Sequence, residues 1–192
     1  MKDKIVRYFS NISPLSVEET EAIKESSVIK TFKKGTVLLR EGQYSSDTYF
    51  VFEGLIRQYQ IIDGEEKTTA FFTEDQWIIS LNGSDSNKPS NCYWVCDEDC
   101  LLLTGNDTSA QALFDRFPRL EGIARKVIEH TFAEFQQKML NYLNDSPEQR
   151  YLRLVEANPD LVQRIPQYQL ASYIGIKPES LSRIRRRIIK KS

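Results

Sequence analysis

The stretch that most clearly decides the fold is Gln167–Arg186, which reads QYQLASYIGIKPESLSRIRR. Gly175 lies between two segments of helical character, and glycine adopts the positive φ that a tight turn between crossing helices requires. Ala171 is small enough for the second helix to cross closely over the first, and Pro178 suits the first turn of that second helix. Five apolar residues fall where such a pair must bury them: Leu170, Ile174, Ile176, Leu181 and Ile184. The stretch therefore predicts a helix-turn-helix.

Charge is distributed asymmetrically around this motif. Residues 177–192 hold seven basic residues and one acidic residue, a net charge of +6, whereas the rest of the chain carries −7. A basic segment on an acidic body is typical of a protein that binds a polyanion at one place. If charge is taken alone, a solvated charged tail is the alternative interpretation.

The second helix of the motif carries side chains suited to duplex DNA, since its N-terminal part is the part that enters the major groove in this geometry. Arg183 can donate to guanine O6 and N7, and Glu179 can accept from a cytosine amino group. Basic side chains further along the helix are expected mostly at phosphates. The predicted DNA-binding residues of this helix are Lys177, Glu179, Ser180, Arg183, Arg186 and Arg187. A purely structural hairpin is the alternative, and the basic helix argues against it.

Upstream of the motif, apolar residues recur every three or four positions and predict one long helix at about residues 118–143. Its uninterrupted part, Leu120–Leu143, is about 36 Å long at 1.5 Å per residue. The apolar stripe is wide, so we expect a second copy of the helix to cover it in a parallel dimer. Burial against the chain's own barrel is the alternative. Ser146 and Pro147 then begin a new helix, which divides the chain into domains 1–143 and 144–192.

The N-terminal part predicts short helices followed by strands. Residues 1–27 suit helices, with Ser16 as an N-cap. From Val28 to about Thr104, short β-branched and aromatic runs alternate with glycines, and Asp63-Gly64 is a strong signal for a tight hairpin. The predicted fold class is α+β: an N-terminal antiparallel β-barrel, a long dimerisation helix and a C-terminal helix-turn-helix.

This layout resembles the Crp/Fnr family of transcription regulators over nearly the whole chain. Phe32–Gly42 and Tyr49–Arg57 look like the opening strands of the family's jelly-roll, cyclic-nucleotide-binding-like barrel, and Leu170–Ile184 looks like its helix-turn-helix. The resemblance implies base contacts for Glu179 and Arg183, and phosphate contacts for Gln167 and Ser180. It also implies that the barrel is a sensor domain.

The sequence departs from the family in two places. Cyclic nucleotide binders of the family use a Gly-Glu pair and an arginine about ten residues later, to hold the ribose hydroxyl and the cyclic phosphate. The matching stretches, Ile78–Leu81 and Pro89–Cys92, contain neither group. We therefore expect a degenerate pocket that does not bind cyclic AMP, with any ligand contacts made by Ser80, Lys88, Ser90 and Asn91. The second departure is that the recognition helix is followed at once by Ser192, which predicts a helix-turn-helix lacking a full wing.

The cysteines and the histidine carry little catalytic potential. Cys92, Cys96 and Cys100 are spaced by four residues, which in one strand places them on one face about 13 Å apart, too far for one zinc ion or iron–sulfur cluster. They are interpreted as small buried hydrophobic residues, with redox sensing as the alternative. His130 is the only histidine and is expected on a helix surface or interface. We predict no enzyme, no metal site and no cofactor, and the sequence identifies no effector.

The sequence as a whole predicts a sequence-specific DNA-binding transcription regulator. We expect a homodimer on a palindromic operator in double-stranded DNA, with RNA polymerase as a possible partner and no membrane association. Unpaired cysteines and the lack of a secretory signal predict a cytoplasmic location. The alternative function is a small-molecule-binding barrel module whose C-terminal hairpin mediates protein contacts.

Overall fold

The computed structural model describes residues 1–79 and 88–189. Within them the helices are α1 Lys2–Ile12, α2 Val17–Ser26, α3 Asp107–Arg116, α4 Pro118–Asn144, α5 Pro147–Ala157, α6 Pro159–Arg164, α7 Gln167–Ile174 and α8 Pro178–Ile189. The strands are β1 Val28–Phe32, β2 Val37–Leu39, β3 Thr48–Glu53, β4 Ile56–Ile62, β5 Glu65–Phe72, β6 Trp77–Ile79, β7 Tyr93–Cys96 and β8 Cys100–Gly105. The predicted mixture of helices and antiparallel strands is confirmed.

The strands form two four-stranded antiparallel sheets, β1-β8-β3-β6 and β2-β7-β4-β5. The predicted hairpin joins β4 to β5, with Asp63 and Gly64 both at positive φ. The side chains between the sheets make one apolar core, in which the Tyr49 and Trp94 rings meet edge to face with centroids 6.2 Å apart. The space between the two sheets is therefore filled by aromatic and aliphatic side chains over the described residues.

Strand β3 is buried on both faces. Tyr49 and Val51 point into the core between the sheets, whereas Phe50 and Phe52 alternate with them and pack under the helices that cover the outer face. These helices are α1, α2 and the first half of α4. Ser16 caps α2 through a capping box, as the sequence predicts.

Helix α4 has two halves in different surroundings. Leu120, Ile123 and Val127 in the first half are buried against the barrel. In the second half, large apolar side chains are 45% to 71% exposed: Phe132, Phe135, Met139, Leu140, Tyr142 and Leu143. The barrel therefore covers only the first half.

No helix in the described part of the chain is long and apolar enough to cross a membrane.

The three cysteines do not share one strand, contrary to the prediction from their spacing. Cys92 precedes β7, Cys96 ends it, and Cys100 begins β8 in the other sheet. The three acidic residues 97–99 lie between these strands, and their carboxylates form ion pairs with Arg57, Arg164 and Lys33. The expected single strand is therefore wrong, although Cys96 and Cys100 are buried as expected.

Candidate nucleic-acid interface

The turn between α7 and α8 has the geometry that its sequence predicts. Gly175 has φ +81°, in the left-handed region. Its N–H and that of Ile176 donate to the carbonyls of Ser172 and Ala171, both at 3.0 Å, which is the Schellman arrangement that closes a helix. A Cβ at position 175 would lie 2.7 Å from the Tyr142 hydroxyl. Glycine is therefore required both by the backbone and by the contact with α4.

The helix-turn-helix has its own apolar core, in which Leu170, Ala171 and Leu181 are fully buried. The same cluster takes in Leu55 from the barrel, and Phe71 of β5 meets the Tyr173 ring at 5.3 Å. Helix α7 therefore packs on one side against α8 and on the other against the barrel.

Most of the predicted DNA-binding side chains lie at the surface. Ser180 is half-buried, and the others are exposed: Gln167, Lys177, Glu179, Arg183, Arg186 and Arg187. Glu179, Arg183 and Arg186 follow a spacing of four and three residues, so they lie along one face of α8. The structure therefore brings the proposed base-reading pair, Glu179 and Arg183, together at the N-terminal half of the helix.

These side chains differ in whether they already form an ion pair or a hydrogen bond within the protein. The guanidinium groups of Arg183 and Arg186 make no ion pair with any residue in the described ranges. Arg187 forms an ion pair with Glu148 at 2.6 Å, and the Arg185 Nε donates to the Tyr151 hydroxyl at 3.0 Å. Of the arginines of α8, Arg183 and Arg186 are thus the ones available to a polyanion, and Lys177, just before the helix, is exposed as well.

Gln167 has an internal role that the sequence did not reveal. Its side-chain amide donates to the Pro178 carbonyl at 3.2 Å and also to the Ser182 hydroxyl. These bonds join the start of α7 to the first turns of α8. Its predicted phosphate contact stays a prediction.

The structure describes three of the four predicted ligand-binding residues, and their contacts with a ligand stay a prediction. Ser80 lies outside the described residues. Lys88 and Asn91 are exposed, whereas Ser90 is buried and its hydroxyl accepts from the Cys92 N–H at 3.1 Å. The backbone of Ser90 also bonds to Gly42 and Gln43. Ser90 therefore has a structural role in its loop.

Polar contacts that the sequence does not indicate hold the helix-turn-helix to the barrel. Arg164 of α6 donates to both carboxylate oxygens of Glu74 at 3.0 Å, and to those of Glu98 at 3.0 Å and 2.6 Å. Burial opposes ionisation of Glu74, but hydrogen bonds from Arg164 and from the Gly54 N–H outweigh it and lower the pKa of that carboxyl. Partners 66 and 90 residues apart leave no local signature in a sequence.

A second polar group lies beside it. Arg57 is 6% exposed and contacts Asp97 at 3.4 Å and Glu66 at 2.8 Å. Burial raises the pKa of Asp97 despite the opposing effects of Arg57 and of Gln169 in α7. The Thr68 N–H donates to the Ser172 hydroxyl at 3.0 Å, across the same boundary.

No cluster of three or more potential metal ligands occurs among the residues that the structure describes.

Residues 29–117 match the family model of the cyclic nucleotide-binding domain. No curated protein matches the chain by sequence.

Solved structures match nearly the whole chain at low identity. The c-di-GMP-responsive global regulator CLP of Xanthomonas campestris superposes with a TM-score of 0.68 at 15% identity, over 92% of this chain and 93% of its own. A Crp/Fnr-family transcriptional regulator from Eubacterium rectale gives 0.68 at 15% identity, over 94% and 88%. The catabolite activator protein of Thermus thermophilus gives 0.54 at 19% identity, over 94% and 86%. The resemblance to Crp/Fnr regulators is confirmed, and this chain has their fold.

Proposed function

We propose, from the Crp/Fnr fold and the surface of α8, that this chain is a homodimeric, sequence-specific DNA-binding transcription regulator. The observation that carries the proposal is a row of exposed side chains on the second helix of the helix-turn-helix: Glu179, Arg183 and Arg186. The turn before this helix is closed by the hydrogen bonds of a Schellman motif. A carboxylate and a guanidinium one turn apart suit a cytosine amino group and a guanine edge. Arg186, further from the turn, suits a phosphate.

The second half of α4 supports the homodimer. Six large apolar side chains lie exposed in its last four turns, on a helix whose first half is already covered. An apolar patch of this kind on a soluble helix marks an interface, and a two-fold pair of parallel helices buries the same face of both copies. Such a dimer presents two recognition helices to two half-sites about 34 Å apart on a palindromic operator.

The barrel supports a regulator whose effector is not cyclic AMP. Tyr49 and Trp94 meet in the space between the sheets, and Ser90 is bonded within its own loop. Lys88, the cation among the predicted ligand-binding residues, has an exposed side chain. The proposed partners are double-stranded DNA, a second copy of this chain and RNA polymerase. A dimer bound at a promoter would contact RNA polymerase.

Fluorescence anisotropy on labelled duplexes tests DNA binding. The full chain is titrated at several salt concentrations, because each neutralised phosphate contributes about 0.9 to the slope of log K against log salt. Arg186→Ala is expected to lower the slope by about 1. Arg125→Ala, which removes an exposed arginine from α4, is the matched control and should leave the slope unchanged. Absence of any duplex binding at low salt would refute the proposal.

A further inference from the structure

Cys96 and Cys100 lie on either side of one short turn between the two sheets. Cys96 is the last residue of β7 and pairs with Ile56, whereas Cys100 is the first residue of β8 and pairs with Phe32. Their side chains are 0% and 3% exposed and belong to the same apolar cluster. The turn above them is at the surface, where the Asp99 side chain is 62% exposed.

The two thiols lie close to one carbonyl group: the Leu55 oxygen is 3.6 Å from the Cys100 sulfur and accepts from the N–H of Asp97, the residue after Cys96, at 2.8 Å. The Cys100 thiol and burial both raise the pKa of Cys96. The Cys96 thiol lowers the pKa of Cys100 against the effect of burial. Cys100 is also 3.3 Å from the Glu98 carbonyl and 3.6 Å from the Leu55 carbonyl. Cys92 is held apart, 3.5 Å from the Ser90 hydroxyl.

The residues between the two thiols hold the helix-turn-helix against the barrel. The Glu98 carboxylate accepts two hydrogen bonds from Arg164 of α6. The Asp97 carboxylate lies 3.4 Å from the Arg57 Nε, and the Asp97 N–H donates to the Leu55 carbonyl at 2.8 Å. Any change in the backbone between Cys96 and Cys100 therefore moves a carboxylate that binds α6.

Gly54 restricts the space around the pair. Its φ is +104°, and a Cβ there would lie 2.7 Å from the Cys100 sulfur and 2.6 Å from the Asp99 carbonyl. The Gly54 N–H donates to Glu74, which also binds Arg164. Gly54 therefore contacts both the Cys100 sulfur and one of the two carboxylates that hold Arg164.

We propose that Cys96 and Cys100 are a modification site, at which peroxide forms a reversible disulfide that loosens the attachment of the helix-turn-helix to the barrel. This inference rests on the proposed function for its consequence at DNA. The Cys100 thiolate attacks one oxygen of hydrogen peroxide and breaks the O–O bond, giving a sulfenic acid and hydroxide. The Cys96 sulfur then attacks the Cys100 sulfur and displaces water. In total, two thiols and one peroxide give one disulfide and two waters. Local opening of the surface turn admits the peroxide.

Counting thiols in the full chain tests the disulfide. After treatment with hydrogen peroxide and denaturation, titratable thiols should fall from three to one, and dithiothreitol should restore them. Cys92→Ser is the matched control and should fall from two to none, whereas Cys96→Ser and Cys100→Ser should keep both. Cys96→Ala replaces Cys96→Ser if the buried hydroxyl prevents folding. Three surviving thiols, or a mapped disulfide that contains Cys92, would overturn the proposal.

Amide hydrogen exchange tests the coupling to the helix-turn-helix without any DNA. The Thr68 N–H donates to Ser172 across the boundary, so its exchange should accelerate several-fold on oxidation. The Ser109 N–H, bonded to Asn106 within the α3 cap, should not change. Unchanged exchange at Thr68 in the disulfide form would refute the coupling. If both tests succeed and oxidised and reduced proteins both fail to bind DNA, the proposed function fails and the modification site stands.

Discussion

Gly175→Ala is the substitution whose cost the structure defines most fully. Position 175 has φ +81°, and an alanine Cβ there would lie 2.7 Å from the Tyr142 hydroxyl at the end of α4. The substitution therefore adds two separable costs. One is backbone strain, which is independent of neighbours, and the other is a contact between the turn and the long helix.

The two costs have different sizes. A non-glycine residue in the left-handed region costs about 1–2 kcal/mol. Tyr142 is 45% exposed and can rotate away, but it then loses the Arg150 guanidinium 4.3 Å above its ring, a contact of about 0.5–1 kcal/mol at an exposed site. We expect Gly175→Ala to lower the free energy of unfolding by about 1.5–3 kcal/mol in the native background. In a Tyr142→Ala background we expect about 1–2 kcal/mol.

Urea unfolding of the four proteins of this double-mutant cycle measures both costs, at one fixed protein concentration because the proposed dimer makes stability concentration-dependent. The expected coupling energy is about 0.5–1 kcal/mol. A coupling energy of zero would contradict the contact between Gly175 and Tyr142. A cost below about 0.5 kcal/mol in both backgrounds would contradict the left-handed turn itself, and with it the geometry of the helix-turn-helix.

Three further outcomes follow from the structure. Arg183→Ala should reduce discrimination between operator and mismatched duplexes by about 1–3 kcal/mol; an equal loss on random DNA would mark a phosphate contact instead. Phe135→Glu, on the exposed face of α4, should convert the proposed dimer to a monomer in sedimentation, and an unchanged dimer would place the interface elsewhere. The pKa of Glu74 is lowered in the folded protein, so its stabilising effect is present above the ordinary value of 4.5 and is lost as pH falls through the folded pKa. Arg164→Gln should flatten this acid dependence in urea unfolding, and an unchanged pH profile would contradict the Arg164 contact.

Local sequence predicts the elements that depend on near neighbours. Gly175 and Pro178 mark the turn and the start of α8 because backbone geometry restricts which residues fit there. The period of the apolar residues predicts α4, found at Pro118–Asn144. Asp63 and Gly64 predict their hairpin because both positions need positive φ.

Sequence could not predict the features that depend on distant partners. Arg164 meets Glu74 and Glu98 only after the barrel has folded, and nothing near position 164 indicates either carboxylate. The same holds for Cys96 and Cys100. Their spacing also fits one continuous strand, and only the distribution of β7 and β8 between two sheets puts the two cysteines on either side of a turn.

Selection of bound duplexes from a random DNA pool by the full chain tests the central claim most directly. A two-fold dimer with one recognition helix per copy should enrich a palindrome whose half-sites are centred about 34 Å, or one helical turn, apart. Each half-site should lose its base preference in the Arg183→Ala protein. A pool that shows no enrichment, or that converges on a single half-site without symmetry, would contradict the account.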